Sequence, residues 1–170
     1  MIDGRSNDPA ADRLKGVDFA RRALDIGGDE AEILAYAALV LASFGEDIGA
    51  MTALVDRALV LNPNYTRGWG ISALLRLWAD QPDLAVQHVN TALRLSPLDK
   101  VNPAFLLLGA VHFFSRRFDA ASPQLLRAIQ DDPGFPIAYR LLASCYAHLG
   151  RLDEARQIVR RLQTITPIVV

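Results

Sequence analysis

Apolar and small residues recur along this chain at the spacing of a helix face, in pairs of short helices. In residues 136–167, Tyr139, Leu142 and Tyr146 lie three and four positions apart, as on one face of a first helix. Gly150 interrupts this pattern. A second helix continues it with Ala155, Val159 and Leu162. The segment therefore predicts an antiparallel helix hairpin, which needs neighbours to cover its apolar face.

The same hairpin pattern returns at nearly equal intervals. Four prolines mark the ends of successive copies, at intervals of 34, 36 and 34 residues: Pro63, Pro97, Pro133 and Pro167. Five positions before each proline lies the same face position, occupied by Ala58, Ala92, Ala128 and Leu162. Ala23 lies 35 residues before Ala58 and starts the series. A period near 34 residues with paired helices predicts stacked helical repeats.

The periodicity predicts an all-α chain with one domain over residues 10–170, preceded by a flexible N-terminal end over residues 1–9. We expect helices near 10–25, 31–44, 48–60, 66–79, 83–95, 103–115, 119–131, 136–148 and 153–164. They group into a first helix 10–25 and repeats of about 31–65, 66–99, 102–135 and 136–169. The first helix has the pattern of a second repeat helix. Two interpretations stay open: a lone capping helix, or a half repeat of a longer protein.

Local expectations concern the face of the first helix, the end of that helix, and one tryptophan further along the chain. The helix spacing places on one face Leu14, Val17, Ala20 and Leu24. We expect Gly27 and Gly28 to end this helix with left-handed backbone, and Asp29 to cap the next one. In the repeat 66–99 we expect Trp69 to lie in the core.

The copies resemble tetratricopeptide repeats, which have aromatic and leucine positions on a first helix, alanines on a second and a proline after it. Residues 102–135 match with Phe105, Leu108, Gly109, Ala121, Leu125, Ala128 and Pro133. Residues 66–99 match with Trp69, Ala73, Ala85, Val89, Ala92 and Pro97. Departures are Ser72 and Arg76 in place of an apolar pair, and His112 in place of an aromatic residue. The resemblance implies a right-handed α-solenoid of about four hairpins and an N-terminal half-repeat helix.

In that solenoid, first helices line a concave inner wall and second helices face outward. The resemblance places on or near the wall Arg67, Leu74, Leu77, Trp78, Leu106, Ala110, Phe113, Phe114, Arg140, Ser144 and His148. An apolar patch of Trp78, Phe113 and Phe114 indicates a groove for a peptide or a partner helix. The alternative is that neighbouring repeats or a dimer mate cover these aromatic residues.

Composition and charge limit the classes of partner and the location that we expect for the chain. Hydrophobic residues make up 51% of the chain, which suits helices buried on more than one side. The formal net charge of −1 gives no indication of a nucleic-acid or acidic membrane partner. No apolar run reaches the roughly 18 residues of a membrane span. The single cysteine, Cys145, excludes an internal disulfide and favours a reducing, cytoplasmic location.

The sequence shows no catalytic or metal-binding pattern. No histidine among His88, His112 and His148 has metal-ligand spacing to another or to Cys145. We expect His112 to be a hydrogen-bonded core histidine and Cys145 to be a structural thiol. The acidic pair Asp153–Glu154 lies near Arg156 and Arg160, as on a solvated helix face with local ion pairs. We therefore expect no enzyme activity and no cofactor.

A narrower resemblance concerns the parent protein. The chain is similar to the repeat-containing C-terminal region of bacterial class III adenylate and guanylate cyclases, in the runs RRALDIGGDEAEILAYAALVLASFGED, DRALVLNPNYTRGW and ALRLSPLDKVNPAF. Some bacterial winged-helix regulators carry similar repeats. This resemblance implies a regulatory protein-interaction segment, with the cyclase domain upstream. Its partner is then another protein, a peptide or another domain of the parent chain. The alternative is a stand-alone structural domain that self-associates, for example as a homodimer.

Overall fold

The computed structural model describes residues 8–97 and 104–166, and every regular element within them is a helix. The helices are α1 (Pro9–Gly27), α2 (Ala31–Ser43), α3 (Ile48–Leu61), α4 (Thr66–Trp78), α5 (Pro82–Leu95), α6 (Ala104–Phe114), α7 (Phe118–Asp131), α8 (Pro136–His148) and α9 (Leu152–Ile165). Each predicted helix is found, with ends within two residues of the prediction. The all-α class is thus confirmed for the described residues. The flexible N-terminal end and Pro167 were predicted for positions that lie outside them, apart from Asp8 and Pro9.

Two compact units make up the chain, Met1–Gln81 and Pro82–Val170. In the first, α2, α3 and α4 enclose a core of Leu34, Ala35, Ala38, Val55, Ala58, Ile71 and Leu75. In the second, α7, α8 and α9 enclose a core that includes Leu125, Leu142, Cys145, Tyr146, Ile158 and Leu162. The division falls inside the segment predicted as repeat 66–99. The single domain and the repeat boundaries stay predictions.

The turn after each first helix has the same backbone structure in all four copies. One residue takes the left-handed conformation, at Gly45, Asp80, Arg116 and Gly150, with φ of 86°, 56°, 59° and 75°. The next residue donates its backbone N–H to the carbonyl five positions earlier, as Arg117 does to His112 at 2.8 Å and Arg151 to Tyr146 at 2.9 Å. This arrangement satisfies carbonyls that the helix end leaves free. The sequence repeat is therefore matched by a repeat of main-chain hydrogen bonds.

The turns after second helices use a side-chain acceptor. Asn62 Oδ1 accepts from the N–H of Asn64 at 3.1 Å, and Asp132 Oδ1 accepts from the N–H of Gly134 at 2.9 Å. The proline between them offers its carbonyl to the aromatic residue of the following helix. Trp69 Nε1 donates to Pro63 O at 2.8 Å; Tyr139 Oη donates to Pro133 O at 3.0 Å. The sequence predicted Trp69 in the core, but the structure shows its side chain only partly buried.

Four local predictions are contradicted. Leu14 is 72% exposed and Val159 is 42% exposed, although both were expected on the buried face; Ile158 is buried in α9 instead. Gly28 ends α1 with right-handed backbone, φ −64°, because the helix simply stops at a turn without a left-handed residue. Asp29 does not cap α2, since its carboxylate pairs with Arg57 and Glu30 occupies the N-cap position without a side-chain hydrogen bond.

Two polar residues, Ser72 and Arg76, replace the apolar pair in α4, and the arginine forms an ion pair. Ser72 is fully buried. Arg76 has a side chain only 13% exposed and donates from Nη2 to Asp56 Oδ1 of α3 at 2.6 Å. Its Nη1 donates to Gln81 Oε1 at 3.0 Å. The ion pair thus fastens α3 to α4 at a place where other copies use apolar packing.

Candidate functional site

Aromatic side chains gather where the C-terminal ends of α6 and α8 meet the start of α7. Phe113 and Phe114 lie edge to face, with ring centroids 5.3 Å apart, and Phe113 is 5.6 Å from Phe118. The imidazole of His148 stacks on Phe118 at 4.2 Å with an angle of 5° between the rings. Phe114 is 64% exposed, whereas Phe113 and Phe118 pack against the core. We call Phe113, Phe114, Phe118 and His148 the aromatic surface.

The structure thus brings together three residues that the sequence predicted for the site: Phe113, Phe114 and His148. The centroids of Phe113 and His148 are 6.3 Å apart, which joins α6 to α8. Such edge-to-face and stacked pairs stabilise each other by about 0.5–1.5 kcal/mol beyond burial. The rings therefore contact one another in a chain from Phe114 to His148, while most of the Phe114 side chain is exposed to solvent.

The other predicted residues of this unit flank the aromatic surface along their helices. Leu106 and Ala110 are partly buried on α6, and Leu106 packs against the core of the unit. Arg140 is exposed on α8, two turns before His148. The Ser144 hydroxyl, between them, donates to the Arg140 carbonyl at 2.9 Å. Ser144 is thus engaged with its own helix, and Arg140 supplies an exposed cation two turns before His148 on α8.

The predicted residues of α4 lie in the other unit. Arg67, Leu74 and Leu77 are partly buried, and Trp78 is 46% exposed at the end of α4. Trp78 immediately precedes the turn that contains Asp80. Leu74, Leu77 and Trp78 form an apolar stripe on α4, and Trp78 is the most exposed of the three.

Phe118 was missed by the sequence reasoning. It begins α7, a helix that the resemblance turns outward, so it was not considered for the inner wall. Its ring nevertheless lies under His148. A signal was available: Phe118 follows Phe113 and Phe114 by only one short turn, and a turn of that length brings the two helix ends together.

Burial sets the protonation of two groups near this site. Burial lowers the pKa of His112, and the nearby Arg117 cation lowers it further, so His112 is neutral at pH 7. Its Nδ1 has no hydrogen-bond partner among the described residues, which contradicts the expected hydrogen-bonded histidine. Burial raises the pKa of Cys145 to about 11, so the thiol stays protonated. Its fully buried position confirms a structural thiol.

Charged side chains on α9 form local ion pairs. Arg156 Nη1 lies 2.7 Å from Asp153 Oδ1, as predicted. Glu154 pairs with Arg151 rather than with Arg160, because Arg151 lies at the start of the same helical turn. Across residues 8–97 and 104–166, no three His, Cys, Asp or Glu side chains come together as metal ligands. In the same ranges, no helix is both long and apolar enough to span a membrane.

Comparison with known sequences identifies the repeat. Residues 106–167 match the family described as tetratricopeptide repeat. The chain is also 32% identical over 123 residues to the Protein CTR9 homolog of Arabidopsis thaliana. That match covers 72% of this chain but spans only 11% of the length of this curated relative. It gives no basis for transferring the whole relative's activity to this chain.

Comparison with solved structures shows the fold. A crystal structure of MamA has a TM-score of 0.71 at 19% identity, covering 91% of this chain and 83% of its own. MamA 41-end from Desulfovibrio magneticus RS-1 has a TM-score of 0.71 at 17% identity, covering 90% and 94%. YrrB, described as a TPR protein with an unusual peptide-binding site, has a TM-score of 0.66 at 22% identity, covering 87% and 75%. The fold is that of helix-hairpin repeat proteins.

Proposed function

We propose that the chain is a non-catalytic tetratricopeptide repeat module that binds a peptide or helix of a protein partner through the aromatic surface, and the family match of residues 106–167 supports this. One observation carries the proposal. Phe114 is 64% exposed, and its ring contacts Phe113 edge to face, which in turn contacts His148. A large apolar side chain with this exposure is suited to partner binding, since contact with a partner removes its apolar surface from water.

The chemistry of the surface indicates what it binds. The open face of Phe114 suits an apolar or aromatic side chain of the partner. Arg140, exposed on α8 about two helical turns before His148, suits a carboxylate of the partner. We propose that Leu106, Ala110 and Ser144 form the floor between them. The peptide-binding site named for YrrB, a protein of the same fold, supports this use of the repeats.

A pull-down with matched variants tests the proposal. We expect Phe114→Glu to lose the proteins that the unchanged chain retains, because a charge on the open ring position prevents apolar contact. Phe19→Glu is the matched control, since Phe19 is also 64% exposed but lies on α1 of the other unit. Partners retained equally by Phe114→Glu and the unchanged chain would contradict this site. Replacing Trp78 by alanine asks separately whether the α4 stripe contributes.

A second candidate function is self-association through the same surface. The exposed ring of Phe114 is its basis, because a second copy would cover it as well as a partner would. Sedimentation equilibrium separates the two functions. A dimer that Phe114→Glu dissociates supports self-association, whereas a monomer at every concentration leaves the partner-binding function as the explanation.

We also propose that the chain serves a larger bacterial signalling protein of the adenylate or guanylate cyclase class. The support is the similarity of its three runs to the repeat region of those cyclases. The upstream reading frame decides this: a class III catalytic domain there supports it, and a frame without one contradicts it. A cytoplasmic location is part of this proposal, since the single thiol of Cys145 is free and buried.

A further inference from the structure

The last hairpin carries an open groove between α8 and α9, here called the terminal groove. Small residues line one wall at Ala143, Ser144 and Ala147 on α8. The opposite wall, on α9, includes Ala155, Val159 and the arginines Arg156 and Arg160. The volume is about 520 Å³, and most of the lining is apolar. Leu152, at the start of α9, completes the lining of the terminal groove.

Equivalent positions elsewhere in the chain show what such a groove accommodates. Val55 and Leu125 occupy the repeat position of Val159, and each is 0% exposed, against 42% for Val159. Val55 lies in a core to which the following helix α4 contributes Ile71 and Leu75. Leu125 lies likewise in a core with residues of α8, the helix that follows α7. At this position α3 and α7 thus each share a core with the helix that follows them.

The residues of the terminal groove favour a particular kind of helix. Alanine and serine along α8 allow close approach of a second backbone, as small residues do between packed helices. The acidic residues of α9 lie in its first turn, while Arg156, Arg160 and Arg161 follow. The two groove arginines are exposed, and Arg156 also forms an exposed ion pair with Asp153 of the same helix. An incoming helix with carboxylates beside its apolar stripe would meet complementary charge, and a basic helix would be repelled.

We propose that the terminal groove binds an amphipathic helix of a protein partner, with an apolar stripe against Val159 and glutamate or aspartate side chains paired with Arg156 and Arg160. This groove differs from the aromatic surface in that Val159, Arg156 and Arg160 of α9 line it, and it shares Ser144 of α8 with the floor proposed beside the aromatic surface. The groove supplies the apolar contact, and the two arginines select the sign of charge.

Two synthetic helical peptides test the proposal on the full chain. Both carry leucine at positions i, i+3, i+4 and i+7; one has glutamate beside this stripe and the other has lysine. We expect the glutamate peptide to bind roughly tenfold or more tightly than the lysine peptide at low salt, and less so as salt is raised. Fluorescence anisotropy of a labelled peptide measures both affinities.

Variants of the groove sharpen this test. Val159→Glu should weaken binding of the glutamate peptide by roughly tenfold or more, by loss of apolar contact and by repulsion. Val60→Glu is the matched control, because Val60 is a 79% exposed valine of α3. Arg156→Glu combined with Arg160→Glu should reverse the preference toward the lysine peptide. Circular dichroism of each variant confirms that the helices remain.

Other outcomes overturn the proposal. Equal binding of both peptides, or a preference that the arginine reversal leaves unchanged, would show that charge does not select the occupant. A chain that dimerises in sedimentation, and that Val159→Glu turns into a monomer, would show that a second copy fills the groove. Tighter binding after deletion of residues 167–170 would show that the chain's own end occupies it.

Discussion

The left-handed residue of each hairpin turn makes a quantitative prediction about stability. Two turns use glycine there, Gly45 and Gly150, while Asp80 and Arg116 hold side chains in the same backbone conformation. A side chain with left-handed backbone costs about 1–2 kcal/mol, since its Cβ crowds the following carbonyl. Glycine avoids this cost but loses about 0.5–1 kcal/mol more backbone entropy on folding. The difference predicts that Arg116→Gly stabilises the protein by about 0.5–1 kcal/mol.

The same reasoning predicts the sign and relative size of the stability changes at the other turns. Asp80→Gly should stabilise by less, because aspartate tolerates left-handed backbone better than arginine does. Gly150→Ala should destabilise by about 0.5–1 kcal/mol. A Cβ at Gly150 would meet no atom within 4 Å, so its cost reports backbone strain alone.

Urea unfolding followed by circular dichroism measures these changes, with the midpoint compared at constant slope. Arg161→Gly is the matched control, because Arg161 is an exposed arginine within α9. There the same substitution should destabilise by about 1 kcal/mol through lost helix propensity. If Arg116→Gly lowered the midpoint as much as Arg161→Gly does, the strain argument for these turns would be refuted.

Three further predictions concern packing, charge and the thiol. Gly109→Ala should destabilise by about 1–3 kcal/mol in urea unfolding, because its Cβ would lie 2.6 Å from Cγ of Leu125. Asp56→Asn should cost about 1–3 kcal/mol by the same assay, since it leaves the mostly buried Arg76 without its carboxylate. Cys145 should not react with a thiol reagent at pH 8 until urea unfolds the chain, because its raised pKa keeps it protonated. Since its folded pKa lies above that of the unfolded thiol, its contribution to stability is full below pH 9 and declines between about 9 and 11.

The helices could be predicted because their apolar residues follow a single repeated spacing. Ala58 and Ala92 recur at the same repeat position and are almost fully buried, as a common environment requires. The period itself limits where each helix begins and ends. Local repetition therefore carried most of the prediction for the fold.

The repeat pattern could not predict features that depend on which residues of other helices lie beside a side chain. Val159 and Leu125 occupy the same repeat position, but only Leu125 has a following helix against it in the described chain. Arg76 was recognised as a departure from the apolar pattern, yet its partner Asp56 lies 20 positions away on another helix. Phe118 was missed because ring stacking joins two helix ends that periodicity treats separately. Such pairings are properties of tertiary structure.

The hairpin turns bear on how this chain can evolve. Each turn closes with backbone donors and backbone acceptors, so the same hydrogen bonds form whether glycine, aspartate or arginine occupies the left-handed position. Divergence among the copies can then accumulate without altering the path of the chain. Sequence likeness between copies should accordingly fade well before their shape does, and residues 8–97, which lie outside the matched family segment, keep the same turns as those within it.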